Sequence, residues 1–513
     1  MSIKFIKLSD AKGTIMLQGT ASDVGKSMIV TALCRILSKN NKISPFKSWN
    51  MSLNSYVTNN GGEIGIAQAL QARAAGEEPS VNMQPILVKP KGDGESQVIM
   101  KGKPLGDFNY SNTKNYVKKA KENIQEALNE LLSEYEYIVM EGAGSPVEVN
   151  RKKEDLANMT TAKMLETPVI LVTNIDRGGA LASIVGTLKL MEPEERELVK
   201  GIIINKFRGD YDLLKPGIDF LEDYTGKPVV GVIPYIEDVR LPEEDSASLE
   251  RKLKTDKNKI DIGIIKLPHM SNFTDFKSLE FEPDVNLKNI YQRKSLKKID
   301  LIIIPGTKTT TKDLNYLKES GLDWAINSAS NNGVPVIGIC GGYQMMGQEL
   351  VDQFNSEGKI KRIEGLGLLP VKTNFLPDKT TQQVKAEIHS KLPLLKGLNR
   401  VTISGYEIHM GKTNYIGNNK SVFTIRKRSE KDVNIKDGAF NEERNCFGTY
   451  IHGLFNNDKF RRQLLNNIRE SKGLKKLTVK QSSYHRIMEE EFDRLANIIS
   501  KNLDLDYIHK LLT

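Results

Sequence analysis

Two stretches of this chain combine residue types and spacings that chemistry uses. The first is Gly19-Thr20-Ala21-Ser22-Asp23-Val24-Gly25-Lys26-Ser27, which follows the apolar run 14–17 and opens into the helix-like run 28–33. A strand, a glycine-containing turn, Lys-Ser and a helix are the parts that surround a phosphate with backbone N–H groups at a helix N-terminus. In that arrangement Lys26 is a point charge and Ser27 a magnesium ligand. Five residues rather than the usual four separate Gly19 from Gly25. The second stretch is Ile339-Cys340-Gly341-Gly342-Tyr343-Gln344, in which an apolar strand, residues 334–339, runs into Cys-Gly-Gly and then a helix from Met345 onward. A nucleophile turn of this kind needs small neighbours. The helix N-terminus favours the thiolate, and the Gly341 N–H can face a developing oxyanion. Pro305-Gly306-Thr307-Lys308, after another strand, would bring a second N–H, from Gly306, across the same pocket. A buried structural cysteine is the plainer alternative, and the glycine pair argues against it.

A cysteine nucleophile needs a base. His452 lies in Tyr450-Ile451-His452-Gly453-Leu454-Phe455, directly after the strand-like run 446–451, and so at a strand end like Cys340. Its rival, His409 in Gly405-Tyr406-Glu407-Ile408-His409-Met410-Gly411, suits a binding loop better. In the first half of the chain, Glu141 ends the strand 137–140, where open parallel sheets bind ligands, and is a candidate magnesium partner of Ser27. Asn205, at the end of strand 201–204, offers a donor and an acceptor to a purine edge, or a helix cap. Asp176-Arg177-Gly178-Gly179 could hold phosphate or a neighbouring subunit, or simply turn the chain. The run 46–54 interleaves Lys47, Asn50 and Asn54 with Phe46, Trp49 and Met51, a mixture that suits an extended, polar-edged substrate. Gln68, Gln71 and Arg73, then Lys89, could continue that polar wall.

Positioning these groups takes an α/β architecture. Short apolar runs at 43–46, 137–140, 169–172, 201–204 and 229–233 alternate with helical patterns, as in a parallel sheet, and the residues of 114–132 place one apolar face for packing on it. The pattern dissolves at Glu243-Glu244-Asp245 and the lysine-rich 251–259, then resumes at 262–265, 301–304 and 334–339. The expected division is a nucleotide-binding domain over 1–240, a linker over 241–260, a second α/β domain over 261–460 and a helical segment over 461–513. Within that segment, 481–512 reads as a charged amphipathic helix pair that completes the second domain or packs across both.

With 513 residues, 39% apolar and 27% charged, the chain is too long for one core and has the composition of a soluble globular protein. A net charge of +10 comes from scattered lysines. The small clusters at Lys118, Lys119 and Lys121 and at Lys475 and Lys476 lack interleaved aromatics, which argues against nucleic acid as a partner and leaves an acidic substrate or a lysine-rich, solubilising surface. Three cysteines without metal-ligand spacing imply a reducing compartment, with Cys34 core. Residues 1–10 lack a signal-peptide core and no run could span a bilayer, so a cytoplasmic protein with no membrane partner is expected. The oligomeric state is not legible.

The loop at 19–27 resembles that of the dethiobiotin synthetase-like P-loop enzymes, which activate carboxylates with ATP. Taken together with the motifs at 46–54, 65–75, 85–90, 141–144, 176–179, 305–308, 339–344, 405–411 and 450–455, nearly the whole chain resembles the cobyric acid synthase family. These are the glutamine-dependent amidases of cobalamin biosynthesis. The resemblance implies a P-loop synthase domain followed by a class I glutamine amidotransferase domain. It implies ATP and Mg2+ as cofactors, glutamine and a corrinoid polycarboxylate as partners, and amidation at the b, d, e and g side chains through acyl phosphates. It assigns Cys340 and His452 to catalysis, Gly306 and Gly341 to the oxyanion hole, and Gly19, Thr20, Asp23, Gly25, Lys26, Ser27 and Asn205 to ATP. Lys47, Asn50, Asn54, Gln68 and Lys89 fall to the substrate, and Ser27 and Glu141 to the metal. Two departures stand out: many class I glutaminases carry His-x-Glu, where this chain has Leu454, and the family often has Asn before Pro85, where this chain has Gln84. The alternatives are an amidase of another carboxylate, either the sister enzyme of the a and c positions or one acting on a cell-wall precursor, and a non-catalytic P-loop regulatory ATPase.

Overall fold

In a computed structural model, which describes residues 13–92, 95–108, 113–150, 155–242, 258–417, 420–478 and 483–513, the chain builds two parallel-sheet units. The readings made on residues 1–10, on 243–245, on most of the lysine-rich run and on Gln481 lie outside the described residues.

The first sheet runs in the order Val229–Pro234, Val199–Phe207, Val169–Asn174, Thr14–Gly19, Tyr137–Glu141 and Ile43–Phe46, all parallel. Its central strand, Thr14–Gly19, is buried throughout, as a strand covered on both faces must be. Ile15 and Leu17 face one layer, where Lys26–Leu37 packs, whereas Met16 faces the other, with Thr113–Glu134 and Ala180–Leu190. The C-terminal helices Tyr484–Asn502 and Leu505–Leu512 join the first of these layers: Phe492, Leu495 and Ile499 pack in the same core as Ile29 and Leu33. Arg35 fixes that contact through Glu489 and Asp493, at 3.0 and 2.8 Å. The pair therefore packs chiefly on the first unit and reaches the second at its start, where Tyr484 stacks on Phe281 at 6.2 Å and its N–H donates to Asp458 Oδ1 at 2.9 Å, so it packs across both. Helix Asp458–Ser471, by contrast, buries Phe460, Leu464 and Ile468 in the core of the second unit.

The second sheet has the order Val285–Ile290, Ile260–Ile265, Leu301–Ile304, Val336–Ile339, Cys446–Thr449 and Ala439–Asn441, parallel except for the last strand. Two features differ from the sequence expectation. The run 446–451 is broken after Thr449, because Ile451–His452 leaves this sheet to pair with Tyr406 and Glu407 in another. The helix expected from Met345 onward instead spans Gly341–Met345 and gives way to the strand Glu349–Val351. That strand opens a mostly antiparallel sheet dominated by the long hairpin Val371–Ile388 and Thr402–Tyr415.

The two units meet beside this hairpin. Tyr406 Oη donates to the Ser55 carbonyl at 3.2 Å and accepts from Asn272 Nδ2 at 3.1 Å, while Ser55 belongs to the small hairpin Ser55–Val57 and Glu63–Gly65 of the first unit. Lys379 of the second unit pairs with the fully buried Glu63.

Candidate functional site

The phosphate loop sits where strand Thr14–Gly19 meets helix Lys26–Leu37. Gly25 takes φ 96°, and a Cβ there would lie 2.2 Å from Asn205 Nδ2, so only glycine fits. Asn205 Nδ2 donates to the Val24 carbonyl at 2.7 Å, which pins the loop, and its Oδ1 stays buried without a partner among the described residues. Lys26 Nζ lies 3.2 Å from the Ala21 carbonyl and 3.4 Å from that of Gly144, bridging the loop to the turn after Glu141. The Thr20 hydroxyl donates to Thr173 at 3.1 Å, and Asp23 holds φ 58° with its carbonyl bound to Lys206 Nζ at 2.7 Å.

Glu141 is the hub of this site. Its Oε1 accepts from Ser27 Oγ at 2.7 Å and Lys47 Nζ at 2.9 Å, and its Oε2 from Gln71 Nε2 at 2.6 Å. Burial raises the pKa of such a carboxyl, but Lys47 and the hydrogen bonds outweigh it and hold Glu141 below its ordinary range, hence ionised. A cavity of about 900 Å3 opens over these groups and is lined by Lys26, Ser27, Lys47, Trp49, Asn50 and Glu141, among others. Asn50 also donates to Gln68 Oε1 at 3.3 Å. Arg177 reaches the cavity wall, while Asp176 is held by Arg208 at 3.0 Å. Among the described residues no three His, Cys, Asp or Glu side chains gather as a metal cluster. A magnesium ion on a nucleotide does not need one, since it takes one or two protein oxygens plus phosphates and waters. The Ser27 hydroxyl and the Glu141 carboxylate fit that donor set.

Of the residues singled out for the polar wall, Lys47 and Asn50 line this cavity, whereas Asn54, Gln68, Gln71, Arg73 and Lys89 do not. Asn54 is buried next to the unit boundary, and its carbonyl accepts from Ile66 N at 3.2 Å. Lys89 is buried against Glu63 Oε1 at 2.5 Å. Glu63, clasped by Lys89 and Lys379, stays ionised: burial would raise it, but the two ammonium groups hold it far below the usual range. Gln84 turns inward, its Oε1 accepting from Gly65 N.

The second site lies at the end of strand Val336–Ile339. Cys340 takes φ 51° and ψ −109°, a strained turn that only dense surrounding contacts maintain. Those contacts explain the glycines: a Cβ on Gly342 would meet the Ile304 carbonyl at 2.0 Å, and one on Gly341 would meet Thr307 at 2.8 Å. Gly306 stands between the two catalytic candidates, since a Cβ there would lie 3.2 Å from His452 Cε1 and 3.6 Å from Cys340 Cβ. Neither Gly306 N nor Gly341 N donates to any loop carbonyl among the described residues.

His452, buried to 1%, is held by Asp275: Nδ1 lies 2.7 Å from Oδ2, and Oδ1 accepts from Gly453 N at 2.8 Å. Its Nε2 has no partner within hydrogen-bond distance among the described residues, and the thiol of Cys340 is the acidic group next to it. Burial works against the charged imidazole, yet the Asp275 carboxylate outweighs it and pushes the pKa up to about 10. Tyr406 stacks on the imidazole at 5.2 Å and 14°. His409 instead stacks on Tyr450 at 3.7 Å, with Nδ1 3.3 Å from the Gly411 carbonyl.

Asp275 was not identified from the sequence. It sits in the short 3-10 helix Phe273–Phe276, 177 residues from His452, and the one signal available was a carboxylate shortly after the strand Ile260–Ile265. It supplies the carboxylate missing from position 454.

Residues 15–249 match the family model of the CobQ/CobB/MinD/ParA nucleotide binding domain, and residues 261–460 that of the CobB/CobQ-like glutamine amidotransferase domain. Over 97% of this chain and 96% of the relative, the sequence is 47% identical to a cobyric acid synthase of Pelotomaculum thermopropionicum. It is 48% identical to one of Moorella thermoacetica over 96% and 95%, and 46% identical to one of Clostridium novyi over 97% of each. Among solved structures, PurLQS from Thermotoga maritima aligns at TM-score 0.31 and 18% identity over 42% of this chain and 97% of that one, too weak to carry an argument. Among the described residues no helix is long and apolar enough to cross a membrane.

Proposed function

The chain belongs to the cobyric acid synthase family, and from that premise we propose that its two sites perform the two halves of one glutamine-dependent amidation. It is an ATP-dependent amide ligase that converts the b, d, e and g carboxylates of adenosylcobyrinic acid a,c-diamide to carboxamides. Glutamine supplies the nitrogen.

In the glutaminase half, Cys340 Sγ attacks the amide carbon of glutamine as His452 Nε2 takes the thiol proton. The oxygen that gains charge lies toward the N–H groups of Gly306 and Gly341. Nε2 returns the proton to the departing nitrogen, ammonia leaves, and a thioester remains on Cys340. Water then attacks that thioester with Nε2 as base and releases glutamate. Asp275 keeps the other ring nitrogen protonated and stabilises the imidazolium that forms.

In the synthase half, Lys26 and the amides of residues 19–27 hold the phosphates of ATP, with Thr20 and Asp23 shaping the loop. An oxygen of the corrinoid carboxylate attacks the γ-phosphorus and ADP departs. The lone pair of ammonia attacks the acyl carbon, the carbon–oxygen bond breaks with its electron pair going to the departing phosphate, and the nitrogen loses one proton, which the phosphate takes up. Ser27 and Glu141 would hold Mg2+, which when bound neutralises charge on the phosphates. Asn205 keeps Oδ1 for the purine amine while its amide nitrogen braces Val24. Lys47 and Asn50 face the carboxylate substrate from the cavity side, with Gln68 behind Asn50 and with Asn54 and Lys89 at the boundary between the units.

The His452–Asp275 pair beside Cys340 carries this reading, because a buried thiol, imidazole and carboxylate aligned in this way have little use except to activate the sulfur. Mass spectrometry of adenosylcobyrinic acid a,c-diamide incubated with the protein, ATP, magnesium and glutamine tests it. Four successive carboxyl-to-amide mass changes are expected. No change, with glutamate still released, would direct the same chemistry to another carboxylate.

A further inference from the structure

A pair of buried charges beside Cys340 takes no part in either half-reaction. The loop 305–310, which carries Gly306, rests on the nucleophile turn: a Cβ on Gly341 would lie 2.8 Å from Thr307 Cγ2 and 3.2 Å from Thr310 Oγ1. Lys308 in that loop is only 8% exposed, and among the described residues its ammonium makes no ion pair or hydrogen bond. Glu357 is 6% exposed and anchored at the same place. Its Oε2 accepts from Thr310 N at 2.9 Å and Thr310 Oγ1 at 3.1 Å, and Thr310 Oγ1 in turn lies 3.3 Å from Oε1 of Gln344, in the helix that follows Cys340.

Lys308 and Glu357 attract each other without a direct bond, and a buried cation and carboxylate left in that state are costly to keep unless a ligand bonds to both. Burial, with Lys379, Lys89 and Lys91 nearby, draws the Lys308 ammonium down to about 7 against the attraction of Glu357, and burial likewise raises the Glu357 carboxyl. Nearby, Lys89 and Lys379 already clasp Glu63 and need nothing further. What must reach Cys340 is a zwitterion. With its side-chain amide at Cys340, glutamine still has to desolvate an α-carboxylate and an α-ammonium, and one cation beside one anion complements that head group. Free ammonia would use neither charge, and a polycarboxylate would be repelled by Glu357.

We propose that Lys308 and Glu357 form the subsite for the α-carboxylate and α-ammonium of glutamine, Lys308 taking the carboxylate and Glu357 the ammonium. This rests on Cys340 being the nucleophile. Lys308 and Glu357 then set specificity for an amino acid over a simple amide, and act on binding more than on the bond-breaking step.

Two alkylating probes of Cys340 separate the claims. Iodoacetamide is neutral and has no head group, whereas 6-diazo-5-oxo-norleucine carries the zwitterion of glutamine. In Lys308→Met and Glu357→Gln, rates of Cys340 modification are followed by peptide mass mapping, with thermal melting as a check on folding. The norleucine analogue should react on the order of a hundredfold more slowly than in the wild type, and iodoacetamide within about twofold of it. The KM for glutamine should rise by a similar factor, with kcat much less affected. Wild-type rates with both probes, in either folded variant, would overturn the proposal. So would normal labelling combined with ammonia lost to solvent, which would place the cluster on the route of ammonia. If iodoacetamide left Cys340 of the wild type unmodified, the assignment of the nucleophile itself would fall, a distinct result.

Discussion

Asp275→Asn should lower kcat for glutamine-supported amidation by a factor on the order of a thousand to ten thousand, while amidation fed by ammonium salts continues. The carboxylate lies 2.7 Å from His452 Nδ1, where it orients the ring and stabilises the imidazolium that forms when Nε2 holds the thiol proton. An asparagine is nearly the same shape but can present its NH2 to Nδ1, which stabilises the wrong tautomer and offers no charge to the imidazolium. The effect should also be visible in a titration. With Asp275 present the imidazole is held up to about 10 despite its burial. The sign follows from linkage: a pKa raised above its unfolded value of about 6.5 gives stability that is fully present below that value and is lost as pH rises through about 10. Without the carboxylate, burial is opposed only by Cys340 and the pKa falls, so the imidazole signals of His452 in NMR should titrate at lower pH than in the wild type. A variant with unchanged kcat would show that Asp275 is structural only.

Glu141→Gln should abolish amidation from either nitrogen source, with a loss on the order of a hundredfold to a thousandfold or more, while glutamine binding at the other site persists. The buried carboxylate holds Ser27, Lys47 and Gln71 at once, and among the described residues it is the one acidic group bonded to Ser27. A neutral amide would remove the buried Lys47–Glu141 ion pair, at a cost of about 3–5 kcal/mol to the local structure, and would remove the charge that a divalent ion needs. ADP release with ammonium as the nitrogen source is the informative assay, because it bypasses Cys340. Wild-type ADP release in Glu141→Gln would remove this residue from the nucleotide site. Ser27→Ala, which takes away one neutral ligand, should be milder.

The groups that organise each site were legible where they are local in sequence. The loop 19–27 announces its own strand and helix, and Cys340-Gly341-Gly342 announces a turn, because backbone geometry demands those residue types at those spacings. Parallel strands buried on both faces, such as Thr14–Gly19 and Leu301–Ile304, read as plain apolar runs. The antiparallel hairpin did not. Strand Val371–Ile388 is half solvated, interrupted by Pro377, and rich in lysine, threonine and glutamine, so it shows neither an apolar run nor clean alternation. Partners brought together only by the tertiary fold were equally hidden: Asp275 with His452, and Glu63 with Lys379 across the two units. The C-terminal helices showed their apolar faces in the sequence, but not that Phe492 and Leu495 would meet the helix after the phosphate loop. Periodicity reports which face is buried and says nothing of what buries it.

Isotope tracing in Cys340→Ala tests the division of labour most directly. Glutamine labelled with 15N in the amide is supplied together with unlabelled ammonium, ATP, magnesium and the corrinoid, and the product is weighed. The wild type should build 15N into its new carboxamides. Cys340→Ala should make the same product at a comparable rate, containing unlabelled nitrogen alone, and none when ammonium is omitted. Label from glutamine in the Cys340→Ala product would contradict the account, because the sulfur would then not be the atom through which the nitrogen is released.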